Sequence, residues 1–153
     1  MNYRIEDADD TVEQICADLL DQLPTWFGIP ESNAEYVAMA RTNETLIAFG
    51  GDEAVGLLTL VHHNPLASEI HLMAVRPELH RAGIGRALVD AAEARLRGRG
   101  VRFLQVKTLA DTHPDEGYAA TREFYLGMGF TPLEVFTELW DPSNPALQLV
   151  KAL

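Results

Sequence analysis

The sequence is poor in the features that would place a protein outside the cell or in a membrane. It has one cysteine, Cys16, among 153 residues, so an internal disulfide framework is excluded. No apolar run approaches the roughly 20 residues that a membrane-spanning helix needs, and the acidic segment 1–10 lacks the basic-then-apolar order of a secretory signal. We therefore expect a cytoplasmic protein with no membrane segment. Because Cys16 falls in a helical apolar pattern, we expect a buried structural thiol.

Basic residues are also scarce, and they are unevenly distributed. The chain carries 12 Lys and Arg against 23 Asp and Glu, a formal net charge of -11, which argues against general nucleic-acid binding. Residues 76–107 nevertheless contain eight of the 12 basic residues and only three of the 23 acidic ones. A basic stretch in an acidic chain predicts an anionic small ligand beside it. A solvated helix face would explain the arginines at 95–99, but not Arg81 and Arg86.

The motifs of several other enzyme classes are missing. The five histidines show no metal-ligand spacing such as His-x-x-x-His, and there is no cysteine pair, so we predict no bound metal. The chain has no Gly-x-Ser-x-Gly for a hydrolase nucleophile and no Gly-Lys-Ser/Thr for a P-loop. The dinucleotide fingerprint fails as well, because Leu88 stands where its third glycine belongs.

Hydrophobic periodicity and turn signals predict one α/β domain over residues 1–153, with elements in the order β-α-α-β-β-β-α-β-α-β-β. The second helix is predicted to start at Ser32, with Glu35 at capping-box spacing. The predicted helices cover 11–23, 32–40, 86–97 and 119–128, and the strands 3–6, 45–49, 54–62, 69–75, 101–109, 136–140 and 146–151. This order indicates a mixed sheet flanked by helices.

The most informative stretch follows the predicted strand 69–75. Gly83 and Gly85 stand at the mouth of the next helix, where glycine lets backbone N–H groups approach a ligand closely. Arg81 and Arg86 accompany them, although the N-terminal end of a helix already carries partial positive charge. Cations at this end are favourable when an anion is held between them. The pattern therefore predicts a phosphate-binding turn.

Two longer blocks make this turn more specific. The run Met73-Ala74-Val75-Arg76-Pro77, followed by residues 80–88, resembles the acetyl-CoA signature of the GCN5-related N-acetyltransferases (GNAT family). The block at 119–130, with its Phe-Tyr and Gly-Phe pairs, is similar to a later helix of that family, and the resemblance covers about residues 45–151. It implies a single-domain GNAT fold with a central mixed sheet of about six to seven strands, about four helices and a cofactor-binding core at about 45–130.

The resemblance also implies where acetyl-CoA binds. Backbone groups of Met73 and Val75 would pair with the pantetheine arm, and the N–H groups from Arg81 to Arg86 would hold the pyrophosphate. His80 departs from the family, which usually has Gln or Arg there, and this puts one side-chain contact in doubt. The implied cofactor-binding residues are Met73, Ala74, Val75, Arg81, Ala82, Gly83, Ile84, Gly85 and Arg86.

Acetyl transfer to an amine needs a base, a stabilised oxyanion and a proton for the departing sulfur. Tyr125 matches the family's sulfur-protonating tyrosine, with simple helix packing as the alternative, and the N–H of Met73 or Ala74 is expected to polarise the acetyl carbonyl. Glu69 begins the predicted strand four residues before Met73 and is expected to share a face with His71 and Met73. A glutamate at this spacing is the base in the histone-acetylating branch of the family, so the resemblance implies that Glu69 is the base, with an exposed glutamate at the strand end as the alternative. Apolar neighbours would raise its pKa. His71 or a water chain remains the alternative.

The acceptor site is expected in three segments, at about 23–35, 109–118 and 138–144. Their aromatic and acidic residues suit a cationic amine. These residues are Trp26, Phe27, Asp111, Asp115, Glu116, Tyr118, Glu138, Trp140 and Asp141. The expected function is transfer of an acetyl group from acetyl-CoA to a primary amine, on a small molecule or a protein, by direct attack in a ternary complex. A non-catalytic CoA-binding module and a transferase for another acyl-CoA are the alternatives, and a homodimer is compatible with either.

Overall fold

The computed structural model describes residues 2–110 and 116–153. Its strands are β1 (Arg4–Asp7), β2 (Glu44–Gly50), β3 (Glu53–Asn64), β4 (Ala67–Val75), β5 (Phe103–Leu109), β6 (Thr131–Asp141) and β7 (Asn144–Ala152). Its α-helices are α1 (Val12–Asp21), α2 (Pro30–Thr42), α3 (Ile84–Gly98) and α4 (Glu116–Gly127), and a short 3₁₀ turn covers Pro77–Leu79. The helices and strands occur in the predicted order. This order follows from the hydrophobic pattern of the sequence, which alternates between the period of a strand and the period of a helix.

The strands form one mixed sheet in the order β1-β2-β3-β4-β5-β7-β6. Every neighbouring pair is antiparallel except β4 and β5, which are parallel. In the described ranges the sheet therefore has seven strands, accompanied by four α-helices, and the predicted fold class is confirmed.

Each face of the sheet carries its own core. On one face α3 packs Ile84, Leu88 and Leu96 against strand residues such as Leu58, and α4 adds Tyr125. On the other face, α1 and part of α2 pack against the strand side chains that point the opposite way. The cluster joins residues of α1 and the turn after it to three strand residues: Val12, Cys16, Leu19, Leu20 and Leu23 with Leu57, Leu72 and Ala74. Burial of both faces is consistent with the long apolar runs of β2 and β3.

Cys16 is fully buried in the second of these cores, so the prediction of a structural thiol is confirmed. Burial raises the pKa of this thiol to about 11, which keeps it in the unreactive protonated form at neutral pH. In the ranges that the structure describes, no helix combines the length and the apolar character that crossing a membrane requires.

A β-bulge in β4 changes which side chains share a face. Thr59 lies opposite Leu72 and Leu60 lies opposite Ile70, so His71 is an extra residue on its strand. The prediction that Glu69, His71 and Met73 share a face is therefore wrong. Because the bulge inverts the alternation, Met73 packs on the α3 side, while Glu69 remains on the α1 and α2 side.

Two other predicted boundaries are wrong. Helix α2 begins at Pro30 with Ile29 as its N-cap, so Ser32 and Glu35 form no capping box. Proline is well suited to the first helical position, because its φ is already fixed and no N–H is needed there. Strand β6 begins at Thr131, five residues before the predicted start, because an edge strand with almost every residue exposed shows no apolar alternation.

A buried ion pair fixes the end of α4 near its neighbours. Lys151 of β7 donates to both carboxylate oxygens of Glu93 in α3, each at 2.9 Å, and to the Met128 carbonyl at 2.7 Å. Arg97 also binds Glu93, at 3.1 Å, but from the surface. The Glu93 side chain is 3% exposed, against 19% for Lys151 and 52% for Arg97. The two cations are therefore expected to contribute differently to the free energy of unfolding.

We expect Lys151→Met to lower the free energy of unfolding by about 3 kcal/mol, because it leaves the buried Glu93 carboxylate without its buried cation. Arg97→Met removes an exposed partner of the same carboxylate and is expected to cost less than about 1 kcal/mol. Urea denaturation of both variants measures the difference. Equal losses in the two variants would contradict the assignment of stability to the Lys151 bond.

Candidate active site

The centre of the sheet opens between β4 and β5. These strands pair only over Ala67–Ile70 and Phe103–Val106. Beyond this short ladder β4 continues along β3, and β5 continues along β7 as far as Leu109. The structure therefore leaves a gap in the sheet alongside the second half of β4.

The backbone of β4 presents polar groups to this opening. The Arg76 N–H donates to the Val55 carbonyl at 2.9 Å. Hydrogen-bonded and non-hydrogen-bonded pairs alternate along antiparallel strands, so Ala74 also bonds toward β3. The N–H and C=O groups of Met73 and Val75 consequently point into the opening. An extended ligand placed there would extend the sheet as an added strand.

The opening leads to the N-terminus of α3. Gly83 is the N-cap, its φ is 87°, and no side chain caps the helix. The first helical bond runs from the Ala87 N–H to the Gly83 carbonyl, and the Ala82 N–H is already bound by Leu79. In the described part of the chain, no backbone acceptor binds the N–H groups of the remaining residues of this turn, Arg81, Gly83, Ile84, Gly85 and Arg86. Such a cluster of free amides at a helix N-terminus is an anion site.

Two arginines beside these amides have unpaired side chains in the described ranges. The side chains of Arg81 and Arg86 are exposed, and neither has a hydrogen-bond or ion-pair partner in the ranges 2–110 and 116–153. The other basic residues of the segment do have partners: Arg76 with Glu53, Arg95 and Arg99 with Glu44, Arg97 with Glu93, Arg102 over Phe103, and Lys107 with Glu69. The free pair thus lies where the sequence predicts an anion.

On the α3 side, the opening is lined by closely packed residues from three elements. A Cβ atom on Gly85 would lie 3.2 Å from Phe124 Cζ and 3.6 Å from Met73 Cε, so glycine permits this approach. Tyr125 follows on α4, with its ring 5.2 Å from that of Phe124 and 5.4 Å from that of Phe130. Burial raises the pKa of the Tyr125 hydroxyl, so it remains protonated at neutral pH.

On the opposite face, Glu69 lies among polar groups. Its Oε2 accepts from Lys107 Nζ at 2.9 Å, and its Oε1 accepts from His63 Nε2 at 2.7 Å. The expectation of apolar neighbours around Glu69 is therefore wrong. The physical reason is the register: Glu69 lies beside Gln105 in the parallel ladder, which brings Lys107, two residues further along β5, within reach.

His71, at the bulge, lies on the same face. Its ring is 5.3 Å from that of Tyr36 in α2, and its Nε2 is buried with no hydrogen-bond partner among the described residues. Burial, opposed by the charges of Glu69 and Glu35, lowers the pKa of His71, so the imidazole is neutral at pH 7.

The segment between α1 and α2 links the two sides of the opening. The Trp26 ring packs edge-on against His80 at 5.5 Å, and the Tyr118 hydroxyl donates to the Trp26 carbonyl at 2.9 Å. His80 Nε2 in turn donates to the Val75 carbonyl at 2.9 Å. One of the backbone groups that faces the opening is thus covered by a side chain of the chain itself.

The structure brings together only part of the predicted acceptor site. Trp26, Phe27 and Tyr118 lie around the opening, whereas Glu138 and Trp140 lie exposed on the edge strand β6. Asp111 and Asp115 are outside the described residues, as is the side chain of Glu116.

Sequence reasoning did not single out Tyr36 and Lys107, which lie beside His71 and Glu69. Alternation along β5 could have suggested Lys107, but only once the partner strand was known. Within residues 2–110 and 116–153, no three His, Cys, Asp or Glu side chains are grouped as metal ligands would be.

Comparisons with known proteins agree with this geometry. A GNAT-family acetyltransferase from Desulfovibrio desulfuricans, described as putative, is similar in fold, with a TM-score of 0.86 at 16% identity over 99% of both chains. A GNAT acetyltransferase from Elizabethkingia anophelis, solved with acetyl-CoA bound, has a TM-score of 0.77 at 18% identity over 99% of both chains. The ribosomal-protein-S18-alanine N-acetyltransferase from Escherichia coli has a TM-score of 0.80 at 16% identity, over 99% of this chain and 94% of that one.

No curated protein matches the sequence. The sequence profile described as "Acetyltransferase (GNAT) family" matches residues 9–130, from before α1 to the end of the α4 block. This range contains the opening beside β4, the glycine turn and Tyr125. The chain therefore belongs to the GNAT family of acetyltransferases.

Proposed function

We propose that this protein transfers an acetyl group from acetyl-CoA to a primary amine in the cytoplasm. The observation that carries the proposal is the unpaired edge of β4, which runs from the bulge at His71 to the amide cluster before α3. An extended, phosphate-bearing acyl donor matches both parts. It would extend the sheet at Met73 and Val75, with its pyrophosphate over Gly83 and Gly85 between Arg81 and Arg86.

The chemical step follows from the groups around the bulge. The amine nitrogen attacks the thioester carbonyl carbon, a C–N bond forms and the C–S bond breaks. The Met73 N–H, which points into the opening, would donate to the developing oxyanion. The departing thiolate takes the proton of the Tyr125 hydroxyl, which burial keeps protonated at neutral pH. The attacking nitrogen loses its second proton to solvent as the amide forms, and the tyrosinate regains a proton from solvent.

The amine must lose a proton before it attacks. Glu69 is the proposed base, because its carboxylate lies on the acceptor face two residues before the bulge. His71 is the alternative, because its buried Nε2 has no partner. Both lie on the face opposite Met73, so the donor and the acceptor would approach the opening from different sides.

An amine acceptor is proposed from chemistry and from the family. The E. coli neighbour is named for acetylation of an alanine of a ribosomal protein. Around the acceptor face of this chain lie Trp26, Phe27 and Tyr36, together with the carboxylates of Glu35 and Glu69. Aromatic rings and carboxylates attract an ammonium group. We expect a cationic amine on either a small molecule or a protein.

Mass spectrometry of products tests this proposal. Purified protein is incubated with acetyl-CoA and a panel of primary amines that includes short peptides with free N-termini, and products with a mass gain of one acetyl group are identified. Turnover of at least one amine supports the proposal. Saturable CoA binding with no turnover across the panel would indicate a non-catalytic CoA-binding module, and turnover only with a longer acyl-CoA would identify a different acyl donor.

We expect Tyr125→Phe to lower kcat by about a hundredfold, because it removes the proton donor to the sulfur, with little change in the Kd of CoA. The substitution keeps the ring that packs against Phe124 and Phe130, so the fold is retained. Steady-state kinetics and calorimetric titration with CoA measure the two effects. An unchanged kcat with several good amines would remove Tyr125 from the mechanism.

We expect Gly83→Asp to abolish CoA binding, because it places a carboxylate and a side chain at the proposed pyrophosphate site. Gly51→Asp is a matched control. Both glycines have positive φ, 87° and 63°, and a Cβ at either meets nothing within 4 Å, but Gly51 lies in the β2–β3 hairpin. Titration with CoA compares the variants. Equal loss of binding in both would attribute the effect to backbone strain rather than to the phosphate site.

We expect His80→Ala to bind CoA about fivefold more tightly, because the Val75 carbonyl no longer has to exchange its own hydrogen bond, worth about 1 kcal/mol, for one to the cofactor. Calorimetric titration gives the ratio of dissociation constants. Weaker binding by the variant would show instead that the His80 side chain contacts the cofactor directly.

A further inference from the structure

The Glu69 carboxylate is held by two donors that the reaction scheme above does not use. Lys107 Nζ binds Oε2 at 2.9 Å and His63 Nε2 binds Oε1 at 2.7 Å. The Glu69 side chain is only 12% exposed, against 24% for Lys107 and 42% for His63. A nearly buried carboxylate thus has one cationic and one imidazole partner, each approaching from a different neighbouring strand.

The position of this cluster in the sheet is informative. The β4–β5 ladder ends at Ile70 and Val106, and Lys107 is the first residue of β5 beyond it. The Glu69–Lys107 bond therefore spans the apex of the opening, at the point where the two strands separate. The Glu69 carboxylate therefore points from β4 toward β5. The bulge residue His71 lies two residues further along β4.

The two bonds leave the carboxylate able to accept a proton. An ionised carboxylate has about four acceptor sites, so one donor on each oxygen leaves a free lone pair on each. A carboxylate can only accept, so His63 Nε2 must carry the shared proton. The two donors come from different strands, so together they fix the orientation of the side chain.

We propose that Lys107 and His63 are positioning residues, which hold the Glu69 carboxylate in one orientation at the apex of the opening so that it accepts a proton from the acceptor amine. This inference rests on the proposed function, in which Glu69 is the base. In the step itself an N–H bond of the ammonium breaks, an O–H bond forms on Glu69, and the freed lone pair of the nitrogen attacks the thioester.

In the part of the chain that the structure describes, the charged or titratable groups near this carboxylate come from β3, β4, β5 and α2. Lys107 approaches from β5, His63 from β3, and His71 from β4 itself. From α2, Glu35 acts on His71 and Tyr36 packs against it. Among these groups, Lys107 is the one permanent cation at neutral pH. Its removal therefore changes the charge that Glu69 experiences more than any other single substitution.

The test is the steady-state kinetics of Lys107→Met with one acceptor amine. Because the Glu69 carboxylate loses one of the two donors that orient it, we expect kcat to fall to about one tenth. Lys107→Arg keeps a cationic donor and is expected to restore kcat. The KM for acetyl-CoA should be unchanged in both variants.

His63 is tested by the pair His63→Leu and His63→Gln. Leucine removes the donor, whereas the glutamine amide can still donate to Oε1, so activity is expected to fall with the first and to be largely retained with the second. A loss of kcat in Lys107→Met that is not rescued by Lys107→Arg, or that is accompanied by a higher KM for acetyl-CoA, would overturn the proposal in favour of a structural brace.

A measurement without substrate separates this inference from the proposed function. Crystal structures of the unmodified protein and of Lys107→Met compare the orientation of the Glu69 carboxylate. A carboxylate that turns away in the variant supports the inference even if no amine in the panel is acetylated, and an unchanged orientation overturns it. If Glu69→Gln retains full activity, the base assignment fails and this inference fails with it.

Discussion

The site depends on one constraint, which is that β4 and β5 separate after a short parallel ladder. β4 remains bonded to β3 and β5 to β7, so each strand is held on its outer side while the inner groups of β4 lose their partner. Exposed backbone N–H and C=O groups in the middle of a sheet are costly unless something binds them. In the described structure His80 covers one such group, the Val75 carbonyl. The fold thus prepares an edge that an extended ligand can occupy.

A single extra residue divides this opening into two sides. The bulge at His71 inverts the alternation of β4, so that Met73 faces α3 and α4 while Glu69 faces α1 and α2. Without the bulge, the side chains of Glu69 and Met73 would lie on the same face of the sheet. With it, a donor lying near Met73, Gly85 and Phe124 and an acceptor lying near Glu69 can meet where the sheet is open.

The charges of this acidic chain are organised around the same opening. Carboxylates bind five of the eight cations of the basic segment, as Glu44 binds Arg95 and Arg99. In the ranges that the structure describes, Arg81 and Arg86 have no hydrogen-bond or ion-pair partner, and both lie at the N-terminus of α3, which no side chain caps. The local potential is therefore positive at the turn, although the net charge of the chain is -11.

The sequence by itself determined the element order, the fold class, the glycine turn at Gly83 and Gly85, and the position of Tyr125 on the last helix, because these depend on local periodicity, glycine and short motifs. Tertiary structure decided the rest. The bulge at His71 depends on the register between β3 and β4, and the Glu69–Lys107 bond joins residues 38 positions apart. Single-strand patterns cannot specify either, since register and cross-strand neighbours are properties of the partner strand.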